Sequence, residues 1–347
     1  MKVTIYDVAK EANVSIATVS KVINNTGRIS EKTRHRVKNI MEELDYRPNL
    51  IASALMGKQT KTIGLLIPDL VNPFFAELAR SIEDRGHLMD YNLVICNTDY
   101  DPEKEDNYLS LLKQKQVDGF ILASGFESLD KVEQLMKADV PVVIVARDFP
   151  MFSVDAVAID DFMGGYLAAQ HLTELGHERI GVVARNLYSN RERLRGFNFA
   201  LEEKGLEPQL DYVYTDEIDN ILAGRKMVDF YASNDQMPTA IFACNDLLAS
   251  GVIQRAKEMG LSIPDDLSVV GFDNTSIVSI IEPPLTTIAQ PIQSMGKEVM
   301  DLMISIIKGE REEKGRITLL PNLVVRNSTK EINKQISKTI DFSEPSY

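Results

Sequence analysis

Ile16, Ala17, Ser20 and Lys21 fall at i, i+1, i+4 and i+5, so they share one face if the stretch around them is helical. Their types suit the reading of duplex DNA. Small or adaptable side chains let a helix backbone sit deep in a major groove, Ile16 and Ala17 can touch thymine methyls, and Lys21 can reach a guanine's acceptors as a point charge. Thr4, Tyr6, Ser15, Thr18, Asn24 and Arg28 lie nearby, and their types suit phosphates and groove edges, where many protein–DNA hydrogen bonds go. A solvated face of an ordinary three-helix bundle would carry similar residues, so the surrounding elements must decide.

Those elements are three short predicted helices. Thr4 precedes a stripe of Ile5, Val8, Ala9 and Ala12, and Asp7 three residues on makes a capping-box-like start. Asn13-Val14 makes a turn, and Ser15 caps a second helix with Val19, Val22 and Ile23 inward. After the break at Asn24-Asn25-Thr26-Gly27, Ser30 caps a third helix with Val37, Ile40, Met41 and Leu44 at helical spacing. Two helices joined by a tight turn and braced by a third form the helix-turn-helix pattern. Charge agrees with it. Residues 1–61 hold 11 Lys/Arg against 6 Asp/Glu, a net of +5, whereas residues 62–347 hold 27 against 45, a net of −18. A basic head on an acidic body is expected when only the head meets phosphates.

From Lys61 the pattern changes to strand-like runs: IGLLI (63–67), NLVIC (92–96), GFILA (119–123), VPVVIVA (140–146), RIGVVA (179–184), TAIFAC (239–244) and LSVVGF (267–272). Amphipathic stretches separate them, which predicts parallel sheets covered on both faces by helices, in two similar lobes with a break near 160. The expected layout is a head over 1–48, a hinge or linker over 49–61, and a body over 62–330. Within the body, an N-lobe takes about 62–160 and 291–320, and a C-lobe about 161–290 and 321–330. The segment Asn49–Met56 is too short to be a stable helix alone, so it reads as a linker that becomes helical when bound. Residues 331–347 read as a flexible polar tail.

Several function classes are excluded. The N-terminus lacks the apolar core of a signal peptide and no 18-residue apolar run exists, so secretion and membrane insertion are not expected. Cys96 and Cys244 are far apart, without metal-ligand spacing, and read as reduced buried thiols of a cytoplasmic protein. No GxGxxG after a strand, Walker loop, HExxH or GxSxG occurs, so neither an enzyme nor a cofactor or metal site is expected. His35 should lie on the exposed face of the third helix, and His177, in Leu175-Gly176-His177, should serve a helix end.

Many short motifs stand in the order of one family. The segments TIYDVAKEANVSIATVSKVINN, ISEKTRHRV, LDYRPN, ASALMGKQTKTIGLLIPD, NPFF (72–75), GFDN (271–274) and PLTTIAQP (284–291) resemble the LacI/GalR repressors from Thr4 to about Thr329. The resemblance implies a homodimer whose heads enter the half-sites of a near-palindromic operator. It further implies hinges that fold in the central minor groove, with Asn49 and Ala52 at the DNA and Leu55 as the wedge that unstacks a base step. The family often has arginine where Lys21 stands, so a bidentate guanine contact is not implied here.

The body resembles a periplasmic sugar-binding fold, in which ligands sit at the carboxyl ends of the strands. The residues just past those ends are Asp69, Asn72, Phe74, Phe75, Arg147, Asp148, Asn245, Asp246 and Asp273. Arg193 matches the family's effector-contacting arginine and Gln290 another pocket position; Asp246 and Asn274 also suit turn caps. Amides, carboxylates and guanidinium pair with sugar hydroxyls, and a Phe face covers an apolar ring side. A small, sugar-like effector is therefore expected. Two other roles fit the residues less well. A phosphorylated carrier protein is disfavoured because Gln293, Ser294 and Asp301 stand where the subgroup that binds it has basic and aromatic residues. A solute-binding transport role fits the body but not the attached head.

Overall fold

The structure, a computed structural model, describes residues 3–23, 26–46, 59–123, 129–138, 140–147, 153–207, 214–215, 219–233, 237–311 and 313–332. The chain divides into two units, Met1–Thr60 and Lys61–Tyr347.

The first unit holds α1 (Ile5–Glu11), α2 (Ile16–Ile23) and α3 (Glu31–Glu43). Each start follows from a cap. The Asp7 carboxylate accepts from the Thr4 amide at 2.8 Å and the Thr4 hydroxyl at 2.7 Å. Ser15 Oγ accepts from the Thr18 amide at 3.1 Å, and Ser30 Oγ from the Thr33 amide at 3.3 Å. Such caps satisfy amides that a helix start leaves open, at about 1 kcal/mol each. Asn13, at φ 49°, supplies the left-handed turn between α1 and α2. Val8, Ala9, Ala12, Val19, Val22 and Val37 make the small core, with Ile40, Met41 and Leu44 of α3 and its end packed at its edge.

The second unit begins with β1 (Thr62–Ile67), α4 (Pro73–Leu88), β2 (Asn92–Asn97), α5 (Pro102–Gln114), β3 (Gly119–Ala123), α6 (Leu129–Lys137), β4 (Val142–Val145) and β5 (Asp155–Ile159). It continues through α7 (Asp161–Glu174), β6 (Ile180–Arg185), α8 (Tyr188–Glu203), β7 (Tyr214–Thr215), α9 (Asn220–Ser233), β8 (Ala240–Ala243), α10 (Asp246–Glu258) and β9 (Ser268–Asp273). A 3-10 turn at Ser276–Ser279 leads to β10 (Thr286–Ala289), α11 (Ile292–Ile307), β11 (Arg316–Leu319) and β12 (Asn322–Val324). One six-stranded sheet runs β11-β5-β4-β3-β1-β2 and the other β12-β10-β9-β8-β6-β7. All pairings are parallel except β10 with β12. The fold is thus a helical head plus an α/β body of two parallel-sheet lobes.

The seven apolar runs are strands. β5, β7, β10, β11 and β12 lie outside those runs. β11 and β12 are partly exposed edges without a continuous apolar run, and β7 is two residues long. The chain moves from the first sheet to the second after β5, returns after β10, and crosses again between β11 and β12. Its order also persists beyond residue 330. The Ile332 amide donates to Leu175 O at 2.9 Å and Thr329 bonds His171 at 3.0 Å, so Glu331 and Ile332 belong to the body rather than to a tail.

Two glycine contacts set the packing of α7 on α8. A Cβ on Gly165 would lie 1.7 Å from Arg193 O, and one on Gly196 would lie 1.8 Å from Phe162 O. Only glycine allows that approach, and it fixes where α8 carries Arg193.

Candidate functional site

In the head, α2 turns Val19 and Val22 into the core and leaves its other side open. Ile16, Ala17 and Lys21 are exposed there, Ser20 is half-buried, and Tyr6, at 68 % exposure, and Arg28 are also exposed. Gly27, at φ +72°, lets the loop after α2 fold against Lys21, whose Cδ would lie 3.3 Å from a Cβ at that position. Thr4, Ser15 and Thr18 are tied into the helix starts: Thr4 to Asp7, and the Ser15 and Thr18 hydroxyls to each other at 2.9 Å. Asn24, Asn49, Ala52 and Leu55 lie outside the described residues, as does Asp148.

In the body, a cavity of about 50 Å³ opens where the carboxyl ends of both sheets meet. Asn72, Phe74, Phe75, Arg193, Asn245, Asp273 and Gln290 all line it. Asn72 caps α4, its Oδ1 accepting from the Phe74 amide at 3.0 Å, and Phe74 and Phe75 meet edge to face at 5.1 Å. Asn245 caps α10 and donates to Asn220 Oδ1 at 2.9 Å.

Arg193 is the hub. Its Nε donates to Asp161 Oδ1 at 2.7 Å, its Nη1 to Cys244 O at 2.5 Å, and Nη1 lies 3.9 Å from Asp273 Oδ1. The guanidinium lies on the Phe272 ring, 3.5 Å from its centroid. Gln290 Nε2 donates to Asp273 Oδ1 at 2.6 Å. Burial pushes the Asp273 carboxyl well above its ordinary range, although Arg193 pulls the other way. Asp273 (φ 110°) and Asn274 (φ 59°) form a left-handed turn. Beneath it, Asp246 accepts from the Thr275 amide at 2.8 Å, Thr275 Oγ1 at 2.9 Å and Thr287 Oγ1 at 2.7 Å. Burial lifts Asp246 to about 7. Arg326 closes the outer side by donating to Asn274 Oδ1 at 2.8 Å.

Three expected residues are not in the cavity wall: Asp246, whose carboxylate is taken up beneath the Asp273 turn, Asp69 and Arg147. Asp69 turns its Oδ1 to the amides of Val71 and Asn72, at 2.9 and 3.2 Å, because it follows β1 in a tight loop. Arg147 lies over the Tyr188 ring, 5.3 Å from its centroid. Conversely, Tyr100, Arg185, Leu187, Ser189, Asn190 and Asn220 line the cavity without having been singled out. Arg185 is the last residue of β6, so the strand-end rule reaches it once the run RIGVVA is extended by one residue. Tyr100 and Asn220 gave no local signal.

The comparisons agree with this anatomy. Residues 4–49 match the family described as bacterial regulatory proteins, lacI family, and residues 169–329 match a periplasmic binding protein-like domain. The HTH-type transcriptional regulator DegA of Bacillus subtilis (strain 168) is 47 % identical over 342 residues, covering 96 % of this chain and all of DegA. The chain belongs to the LacI family. Like the relatives it matches, this LacI-family protein is a DNA-binding transcriptional regulator, not an enzyme. A lac repressor dimer bound to operator and the anti-inducer ONPF superposes with a TM-score of 0.85 at 28 % identity, over 95 % of this chain and all of that one. A LacI-family regulator from Enterococcus faecium with bound ribose gives 0.71 at 34 % identity, over 78 % of this chain and 99 % of that one. Both cysteines are free and buried. Among the described residues no acid, His or Cys cluster could hold a metal ion, and no helix is long and apolar enough to cross a membrane.

Proposed function

We propose that this regulator binds a near-palindromic operator as a homodimer and that a small polar effector in the body's cleft sets its operator affinity. In each protomer, Ile16, Ala17, Ser20 and Lys21 read base edges in a major-groove half-site. Thr4, Tyr6, Ser15, Thr18, Asn24 and Arg28 position the head on phosphates and groove edges. The hinge over 49–61 folds in the central minor groove, with Asn49 and Ala52 at the DNA and Leu55 as the wedge. In the body, Arg193, Asp273, Asn245, Asn72 and Gln290 hold hydroxyl or carbonyl groups, and Phe74 and Phe75 cover an apolar face.

The observation carrying this reading is the convergence of Arg193, Asp273 and Gln290, in direct contact, at the strand ends of a fold whose relatives hold operator, anti-inducer or ribose. The mechanism is a population shift. Ligand that favours one arrangement of the two lobes changes the spacing of paired hinges, and hence the free energy of seating both heads, by about 1–3 kcal/mol. The site of action is the cytoplasm, where the DNA is. A phosphorylated carrier protein is not part of the proposal, since Asp301 forms a bidentate pair with Arg85 at 2.6 and 3.0 Å and offers no cation for a phosphate.

Selection of bound sequences from a random duplex pool by full-length protein tests the reading. One recovered near-palindrome, whose retention changes with an added sugar, supports it. No sequence preference, with or without candidate sugars and the phosphorylated carrier, overturns it.

A further inference from the structure

The cleft holds two arginines in opposite electrostatic situations. Arg193 is matched by Asp161, Asp273 and the Cys244 carbonyl. Arg185 is equally buried, at 9 % exposure, yet among the described residues no carboxylate lies within ion-pair distance of it. Its guanidinium faces the Tyr100 ring, 4.3 Å from the centroid. Burial pushes the Tyr100 phenol above its ordinary range, so it stays neutral and supplies no counter-charge. The nearby acids are committed elsewhere: Asp273 to Gln290 and Arg193, and Asp69 to the amides of Val71 and Asn72. A buried cation without an anion is costly, and a bound anion relieves that cost.

A second observation falls on the same wall. The 16-residue helix α8 starts at Tyr188 with Leu187 in the cap position, no side-chain cap bond and no acidic residue in its first turn. Leu187, Ser189 and Asn190 of this start line the cavity beside Arg185. An uncapped helix start presents amide donors and the positive end of its dipole. The helices α4 and α10, which also begin at the cavity, are capped by Asn72 and Asn245. Arg147 adds a further guanidinium next to α8, over Tyr188, the helix's first residue.

We propose that the effector is an acidic sugar, whose carboxylate or phosphate sits between the Arg185 guanidinium and the open first turn of α8 while its hydroxyls meet Arg193, Asp273 and Asn245. The proposal rests on the effector reading above and names the ligand's class. Arg185 makes a charge-assisted contact with the anion, and the Tyr100 ring holds the guanidinium in place.

The test is calorimetric titration of full-length protein with matched probes: D-glucose, D-glucuronate and glucose 6-phosphate, then D-ribose and ribose 5-phosphate. The expected result is an acidic probe that binds about tenfold or more tightly than its neutral partner. That advantage should shrink as salt rises, vanish in Arg185→Gln and persist in part in Arg185→Lys. The glucuronate and phosphate arms tell which anion the site takes. The salt dependence of the unmodified protein keeps the test decisive even if Arg185→Gln folds poorly. Neutral and acidic partners binding alike, or an advantage untouched by salt and by Arg185→Gln, would overturn the anionic assignment and leave the effector reading standing. If no probe binds and none changes operator retention, the acidic-sugar assignment fails, and the effector reading stands or falls separately on the operator selection.

Discussion

Gly165 of α7 lies directly against the backbone of Arg193, so close that a Cβ at residue 165 would stand 1.7 Å from the Arg193 carbonyl oxygen. A helix–helix contact thereby sets the position of the arginine at the centre of the cleft. Gly165→Ala must push α8 away, at about 3 kcal/mol of overpacking. The expected outcome is a lower melting temperature of the body and loss of effector response, read by melting and by operator retention with ligand. Unaltered melting would show that the contact can relax.

Asp273 and Arg193 should separate ligand response from DNA binding. Asp273→Asn keeps the shape and a partner for Gln290, so unliganded operator affinity should hold while the effector ceases to change it. Arg193→Ala leaves the buried Asp161 and Asp273 facing each other without their cation, and removing one partner of a buried pair costs about 3–5 kcal/mol. A denaturant melt should therefore distinguish the two variants, with Arg193→Ala markedly the less stable.

Asp246 predicts a pH dependence of stability. Burial raises its folded-state value to about 7, against 3.8 for an ordinary carboxyl. Below pH 4 the carboxyl is protonated whether the chain is folded or not, and it contributes no penalty. As pH rises towards 7 the unfolded chain releases the proton more readily, so folding loses a few kcal/mol, and above 7 the loss levels off. Comparison with Asp246→Asn isolates this group from other acids. The unmodified protein should lose more melting temperature between pH 5 and 7 than the variant, and parallel profiles would contradict the assignment.

Lys21 offers a test of the head. Lys21→Ala should weaken operator binding by about 1–3 kcal/mol and flatten its salt dependence, whereas Lys21→Arg should sharpen the preference for guanine at one half-site position. Quantitative retention assays over several salt concentrations would show both. Equal binding by all three proteins would remove Lys21 from the interface.

Much of this was legible in the sequence because it depends on local pattern. Caps at Thr4, Ser15 and Ser30, helical spacing around Val37 and seven apolar runs are short-range signals, and each became the expected element. Within the cleft, the strand-end rule reached Asn72, Asn245 and Asp273. It failed for Asp69, whose carboxylate is consumed by its own loop, a choice that spacing does not express. Tyr100 and Asn220 were silent because only tertiary packing brings them to the cavity. His177 shows a mixed outcome. Its amide closes α7 by donating to Leu172 O at 3.1 Å, as expected of a helix end, but its buried ring also joins Thr239 to the Lys330 carbonyl, at 3.0 and 3.1 Å. That link crosses 153 residues of sequence and had no local trace.

β11 and β12 stand only a few residues apart near the end of the chain, yet one is the outer strand of the first sheet and the other of the second. During synthesis, neither lobe can complete its sheet until the ribosome has added β11 and β12. A nascent chain stalled between β10 and Arg316 would expose two unfinished edges at once, β5 in one sheet and β10 in the other, each open to a neighbouring chain. The segment Arg316–Val324 therefore acts as a shared checkpoint: only a chain translated through Val324 has both β5 and β10 covered by their outer strands.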